Sequence, residues 1–150
     1  MKKPKVKREF SAGGLVYRNE PEGRLWLVIK PADREKWRLP KGWIEPSETS
    51  VEAARREVKE EGGVEAEVVA KIGKESFFFV QDGQKVFKTV TFFLMKYIQE
   101  AQEPLSWETE SIEWLPFDEA RQRLAFENER EILDKGRAQL ESLDLQPKLL

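Results

Sequence analysis

The residues best suited to chemistry lie between Gly42 and Val64. There Glu57, Glu60 and Glu61 crowd together just before Gly62–Gly63. On a helix these three stand at i, i+3 and i+4 and share one face. Like charges at that spacing repel by a few tenths of a kcal/mol per pair in water, and by more when partly buried. Lys59 falls off that face, so it does not relieve the repulsion. A divalent cation does. Mg²⁺ prefers carboxylate and water oxygens and bridges to substrate phosphates. It polarises a phosphoryl oxygen, supplies an acidified water and screens the charge of an anionic substrate. The plain alternative is a Glu-rich solvated helix face. The chain has no Cys and no His. That excludes thiol nucleophiles, disulfides, thiolate or imidazole metal sites and a Ser-His-Asp triad. Catalysis is left to carboxylates, Lys, Arg, Tyr, hydroxyls or a hard metal.

The elements that must position these residues can be read from periodicity and punctuation. Thr49 followed by Glu52 forms a capping box, which predicts a helix over about 49–61. The paired Gly62–Gly63 stops it. Val51, Ala54 and Val58 make its apolar stripe. Before it, "REFSAGGLVYR" (8–18) reads as a strand broken or bent at Gly13–Gly14, and "RLWLVIK" (24–30) as a second strand. Residues 31–42 form a loop with a short extended piece at 37–39. Residues 64–80 and 85–98 are strands joined at "QDGQ", a hairpin, and "SIEWLP" (111–116) is a short strand. Residues 117–125 and about 128–143 are helical, and the last residues are expected to fray. Hairpin pairing together with strands separated by helices predicts an α/β (α+β) fold with a central mixed β-sheet.

At 150 residues the chain is expected to be one domain, 1–150, able to bury roughly 70% of its extended surface. Apolar residues make up 39% and charged residues 36%, and five Trp and nine Phe argue against disorder. Net charge is −2, so there is no global case for a nucleic-acid partner. No segment is apolar enough to span a membrane, and the basic "MKKPKVKREF" start is not followed by a signal-peptide core. That start reads as a solubilising strand edge, and the cytoplasm is the expected location. Nothing asks for a homodimer and nothing rules one out.

The spacing Gly42-x5-Glu48-x7-Arg56-Glu57-Val58-x-Glu60-Glu61-x-Gly63-Val64 resembles, without a gap, the signature of the Nudix hydrolases. "AGGLVYR" and "WRLPKG" before it and "EWLPFDEA" after it stand in the family's order, so the resemblance covers most of residues 8–125. It implies an α-β-α sandwich with helices on both faces of the sheet. It implies metal-dependent hydrolysis of a diphosphate by attack of water on phosphorus, with one to three Mg²⁺ or Mn²⁺ ions. Glu57, Glu60 and Glu61 resemble the metal ligands, joined by the backbone carbonyl of Lys41. Glu48 and Arg56 resemble the pair that ties loop to helix, and Gly42 and Gly63 read as positions needing backbone freedom. Glu108, six residues before Trp114, resembles a further metal ligand or general base, with Glu110 as the neighbouring alternative.

The box does not choose the substrate. "KTVTFFL" (88–94), the aromatic "SFFF" and "WRLPKG" resemble the diadenosine polyphosphate hydrolases and their bacterial relatives. On that resemblance Lys41 and Lys88 contact phosphates; the plain alternative for the Lys41 side chain is a solvated one. Trp43, Phe78 or Phe79 stacks on a base. Two departures stand against it: Trp43 occupies a position where those enzymes often carry His, and Ser47 stands where many members have Gly. A small-molecule nucleotide is the implied partner. The alternatives are oxidised nucleotides, ADP-ribose, an RNA 5′ end, or a nucleotide-binding module without catalysis.

Overall fold

A computed structural model describes residues 5–145. The first four residues, and the tail expected to fray, lie outside it. The strands are β1 (Lys7–Glu20), β2 (Gly23–Pro31), β3 (Lys41–Trp43), β4 (Val64–Gln81), β5 (Gln84–Glu100) and β6 (Thr109–Leu115), and the helices are α1 (Ser50–Gly62), α2 (Phe117–Arg123) and α3 (Glu127–Asp144). The sheet runs β4-β5-β1-β2-β6, with β3 paired to β1. β1 is parallel to β5 and the other pairings are antiparallel, so the sheet is mixed. Of the basic N-terminal stretch, Lys7–Glu9 pair with β5 on one side, while β3 and β2 join β1 only from Ser11 and Tyr17 onward. From Lys7 onward the stretch enters the central strand.

Alternation along the strands explains the layers. Val16 on β1, Leu27 on β2 and Phe93 and Met95 on β5 pack with Ala53, Ala54 and Val58 of α1. Their neighbours Leu15, Tyr17, Trp26, Val28, Phe92 and Leu94 face the other way. They pack with Ala120 of α2 and with Ile132, Leu133 and Leu140 of α3. The result is an α-β-α sandwich with helices on both faces. Because both faces are covered, β1 and β5 read as continuous apolar runs rather than as alternating ones. Among the described residues no helix is long and apolar enough to cross a membrane.

Gly13–Gly14 does not break β1, which runs unbroken from Lys7 to Glu20. The pair serves close approach instead. A Cβ on Gly14 would lie 2.5 Å from Val58 of α1, and one on Gly13 would lie 2.5 Å from the Pro40 carbonyl oxygen. The two glycines let α1 and the 31–42 loop settle onto opposite faces of one strand. The hairpin forms as read: Asp82 (φ 52°) and Gly83 (φ 75°) are both left-handed, as a two-residue primed turn needs.

Candidate active site

α1 begins at Thr49, whose hydroxyl accepts the Glu52 N–H (3.1 Å) and donates to the Glu52 carboxylate (3.0 Å). It ends at Gly63, left-handed at φ 70°, whose N–H reaches the Lys59 carbonyl. Two further carbonyls of the last turn would be orphans. Ser106 N–H takes that of Glu60 (2.8 Å), and the Thr109 hydroxyl takes that of Glu61 (2.9 Å). The 101–109 connection is thus fastened over the end of α1, which brings Glu108 alongside Glu61.

The 31–42 loop is fixed from three sides. Arg38 exchanges two backbone hydrogen bonds with Ile29 (2.8 and 2.9 Å), and Gly14 N–H donates to the Pro40 carbonyl (3.1 Å). Leu39 N–H donates to a Glu129 carboxylate oxygen (2.7 Å), and Lys41 N–H to Glu61 Oε1 (3.1 Å). The Lys41 amide thus meets the Glu61 carboxylate. The Lys41 side chain is largely withdrawn from solvent, at 13% exposure. Burial, with Arg38 nearby, lowers its pKa to about 8, and Lys88 is lowered for the same first reason.

Arg56 organises the other wall. Its guanidinium makes a fork to Glu48 (2.6 and 2.9 Å) and donates to the Trp43 carbonyl (2.9 Å), to Glu57 (2.8 Å) and to Glu60 (3.2 Å). Such charge-assisted, bidentate bonds are the strong ones. They hold the Glu48 carboxyl down near about 2. A depressed acid stabilises the fold above its unfolded range, near ~4.3, and loses that contribution as pH falls toward its folded value. Wild type is therefore expected to exceed Glu48→Gln in Tm at pH 7. The gap should narrow steadily below about pH 5, and thermal melts of both proteins between pH 7 and 3 check this.

The structure does not hold the three box carboxylates in one cluster. Glu57 and Glu61 adjoin each other, and Glu61 is raised by burial first and then by hydrogen bonding and repulsion from Glu57. Glu60 is half exposed and turned to Arg56. Among the described residues no group of three acids stands close enough to hold a metal ion. The donor set still fits a hard divalent cation: the Glu57–Glu61 pair offers oxygen ligands only, and among the described residues no Lys or Arg is paired to Glu61. Gly42 leaves room for it. A Cβ at Gly42 would sit 2.2 Å from the Glu57 carboxylate. Gly42 has no positive φ, so its role is this missing side chain rather than backbone freedom.

Glu61 and Glu108 open onto a cavity of about 720 Å³. Arg34, Arg38, Lys41 and Lys88 line it as cations, and Trp43, Phe77, Phe79 and Phe126 as aromatics. Lys41, Lys88, Trp43 and Phe79 were all expected there. Phe78 is not among the lining residues. It faces away, against Phe87, with ring centroids 4.6 Å apart. Glu110 pairs with Lys30, so Glu108 is the acid that faces the cavity. A recess of about 380 Å³ continues past Glu61 and Glu108 to Asp33 and the exposed Trp107. Sequence reasoning missed Arg38, Phe77 and Glu129. For Glu129 a signal existed, since it falls on the stripe Glu129, Ile132, Leu133, Gly136, Leu140, every member of which is buried.

A NUDIX domain model matches residues 7–135. The chain is 36% identical over 132 residues to the mutator-type protein MutT4 of Mycobacterium tuberculosis, covering 84% of this chain and 53% of that protein. It is 34% identical over 115 residues to the asymmetrical bis(5′-nucleosyl)-tetraphosphatase of Rattus norvegicus, covering 74% and 77%. The chain thus spans about half the length of the first relative and about three quarters of the second. The crystal structure of a C. elegans Ap4A hydrolase binary complex superposes with a TM-score of 0.65 at 22% identity, covering 89% of this chain and 98% of that one.

Proposed function

The chain belongs to the Nudix hydrolase family, and from that premise we propose that it hydrolyses a diphosphate linkage in a nucleoside polyphosphate, with a dinucleoside polyphosphate as the favoured form. One observation carries the reading: a partly buried carboxylate, Glu61, opens onto a cavity that combines four cations with aromatic ring surfaces. Cations neutralise phosphates, aromatics take bases, and the carboxylates sit where the two meet. The recess toward Trp107 gives room for a second moiety beyond the reacting phosphates.

Glu57 and Glu61, joined by Glu60, would hold Mg²⁺ or Mn²⁺. When bound, the ion supplies a polarised phosphoryl oxygen and an acidified water. The remaining work falls to the chain. Lys41 and Lys88 orient the phosphate chain and offset its charge. Glu108 carries no ion pair among the described residues, and is placed to accept the proton of the attacking water. Trp43 and Phe79 hold the base. Arg56 and Glu48 keep the loop on the helix, in the way that supporting contacts orient metal ligands.

A substrate panel with product identification in ¹⁸O-labelled water tests this. Turnover of nucleoside polyphosphates with label in one product supports it and reports the phosphorus attacked. Tight nucleotide binding without product after long incubation with metal would instead mark a binding module. Removing a stacking platform costs ~1–3 kcal/mol. Trp43→Ala and Phe79→Ala are therefore expected to raise KM about tenfold with little change in kcat, read from steady-state kinetics.

A further inference from the structure

Glu129 is 1% exposed, yet it is a carboxylate. Taking such a group out of water costs several kcal/mol unless it is matched by charge and hydrogen bonds. Its Oε1 accepts the Leu39 N–H (2.7 Å). Its Oε2 faces Arg38 (3.5 Å) and Lys41 (3.7 Å), beyond good hydrogen-bond length, and has no hydrogen-bond partner among the described residues. Four buried side-chain polar atoms lack a partner among the described residues. Three of them, Ser11 Oγ, Arg38 Nε and Glu129 Oε2, belong to residues lining the one cavity. Binding Leu39 N–H needs only a neutral acceptor, which Gln would supply. The charge on Glu129 therefore serves something else, and the two cations across from it are what it can act on.

We propose that Glu129 is a positioning residue for phosphate binding. It acts through Arg38 and Lys41, holding both cations against the cavity wall from α3 while fixing the backbone segment that delivers Lys41 N–H to Glu61. The inference rests on the reading that this cavity takes the substrate's phosphates. It also separates cleanly from a simple charge effect. Deleting a negative charge beside two cations strengthens anion binding if charge alone matters, and weakens it if the cations lose their anchor.

The test is Glu129→Gln in the full chain, which keeps an acceptor for Leu39 N–H and removes the charge. Calorimetry with inorganic tripolyphosphate, metal excluded by chelator, reads the cations without reference to turnover. The expected result is a Kd raised about tenfold, the change for loss of one charge-assisted contact. KM for the nucleotide should rise in parallel, with kcat changed less than about threefold. In an Arg38→Gln background the effect of Glu129→Gln should shrink. Unchanged or tighter tripolyphosphate binding overturns the proposal, as does a loss of active protein with Kd and KM unaltered. Should Glu129→Gln fail to fold, Glu129→Asp keeps the charge but falls one methylene short of the cations, and the same rise in Kd is expected of it. An unchanged Kd there overturns the proposal. If wild type turns over no nucleotide yet binds tripolyphosphate more tightly than Glu129→Gln, the proposal stands and the substrate reading falls.

Discussion

Glu61→Gln is expected to lower kcat/KM by several hundredfold or more while leaving Tm unchanged or higher. Glu61 is partly buried, carries no ion pair among the described residues, and lies against the Glu57 carboxylate. A charge kept there works against folding, since burial and a like-charged neighbour both oppose it. Gln removes that cost and preserves the acceptor for Lys41 N–H, which Glu61 Oε1 now takes at 3.1 Å. What Gln cannot do is supply a charged oxygen to a hard cation. Losses of catalytic charge-stabilising groups run to hundreds-fold and beyond. Steady-state kinetics beside a thermal melt checks both halves. A variant that loses stability and activity together would place Glu61 in the framework instead of the chemistry.

Gly42→Ala is expected to cost about a hundredfold in kcat/KM and no more than about 1 kcal/mol of stability. The added Cβ would meet the Glu57 carboxylate at 2.2 Å. That carboxylate is the far end of a flexible side chain, so the clash is relieved by pushing it aside, and Gly42 has no left-handed φ to strain. Displacing a reacting or metal-holding group by about 1 Å is enough for a hundredfold loss. Gly13 makes the contrast, because a Cβ there meets the backbone oxygen of Pro40 at 2.5 Å and the strand or loop itself must shift. Urea unfolding of Gly42→Ala, set beside its kcat/KM, separates the two kinds of damage.

Much of this site is legible before any coordinates, because its signals are local. Thr49, Glu52 and Gly63 mark the ends of α1 by capping chemistry that acts within a few residues. The Asp82–Gly83 turn fixes the β4–β5 hairpin in the same way. The glycines are harder. Gly13–Gly14 suggests a kink and Gly42 suggests an unusual φ, yet all three are small because something packs on them: the Pro40 carbonyl, Val58 and Glu57. Packing partners fifteen to forty-four residues away leave no mark at the glycine itself. Glu129 shows the same limit at greater range. Its place on a buried stripe is readable, but its bond to Leu39 crosses ninety residues of sequence. Phe78 was misplaced for a simpler reason. Period-two alternation puts Phe77 and Phe79 on one face and Phe78 on the other, and only the three-dimensional sheet says which face meets the cavity.

The claim on which the rest depends is that the Glu57–Glu61 pair grips a divalent cation. Mn²⁺ binding followed by electron paramagnetic resonance, with a non-hydrolysable nucleotide present, measures it directly. Wild type should bind Mn²⁺ at submillimolar to millimolar concentration, and Glu57→Gln/Glu61→Gln should lose that binding while melting cooperatively at or above the wild-type temperature. Equal Mn²⁺ binding by the two proteins, or none by well-folded wild type, would contradict the account.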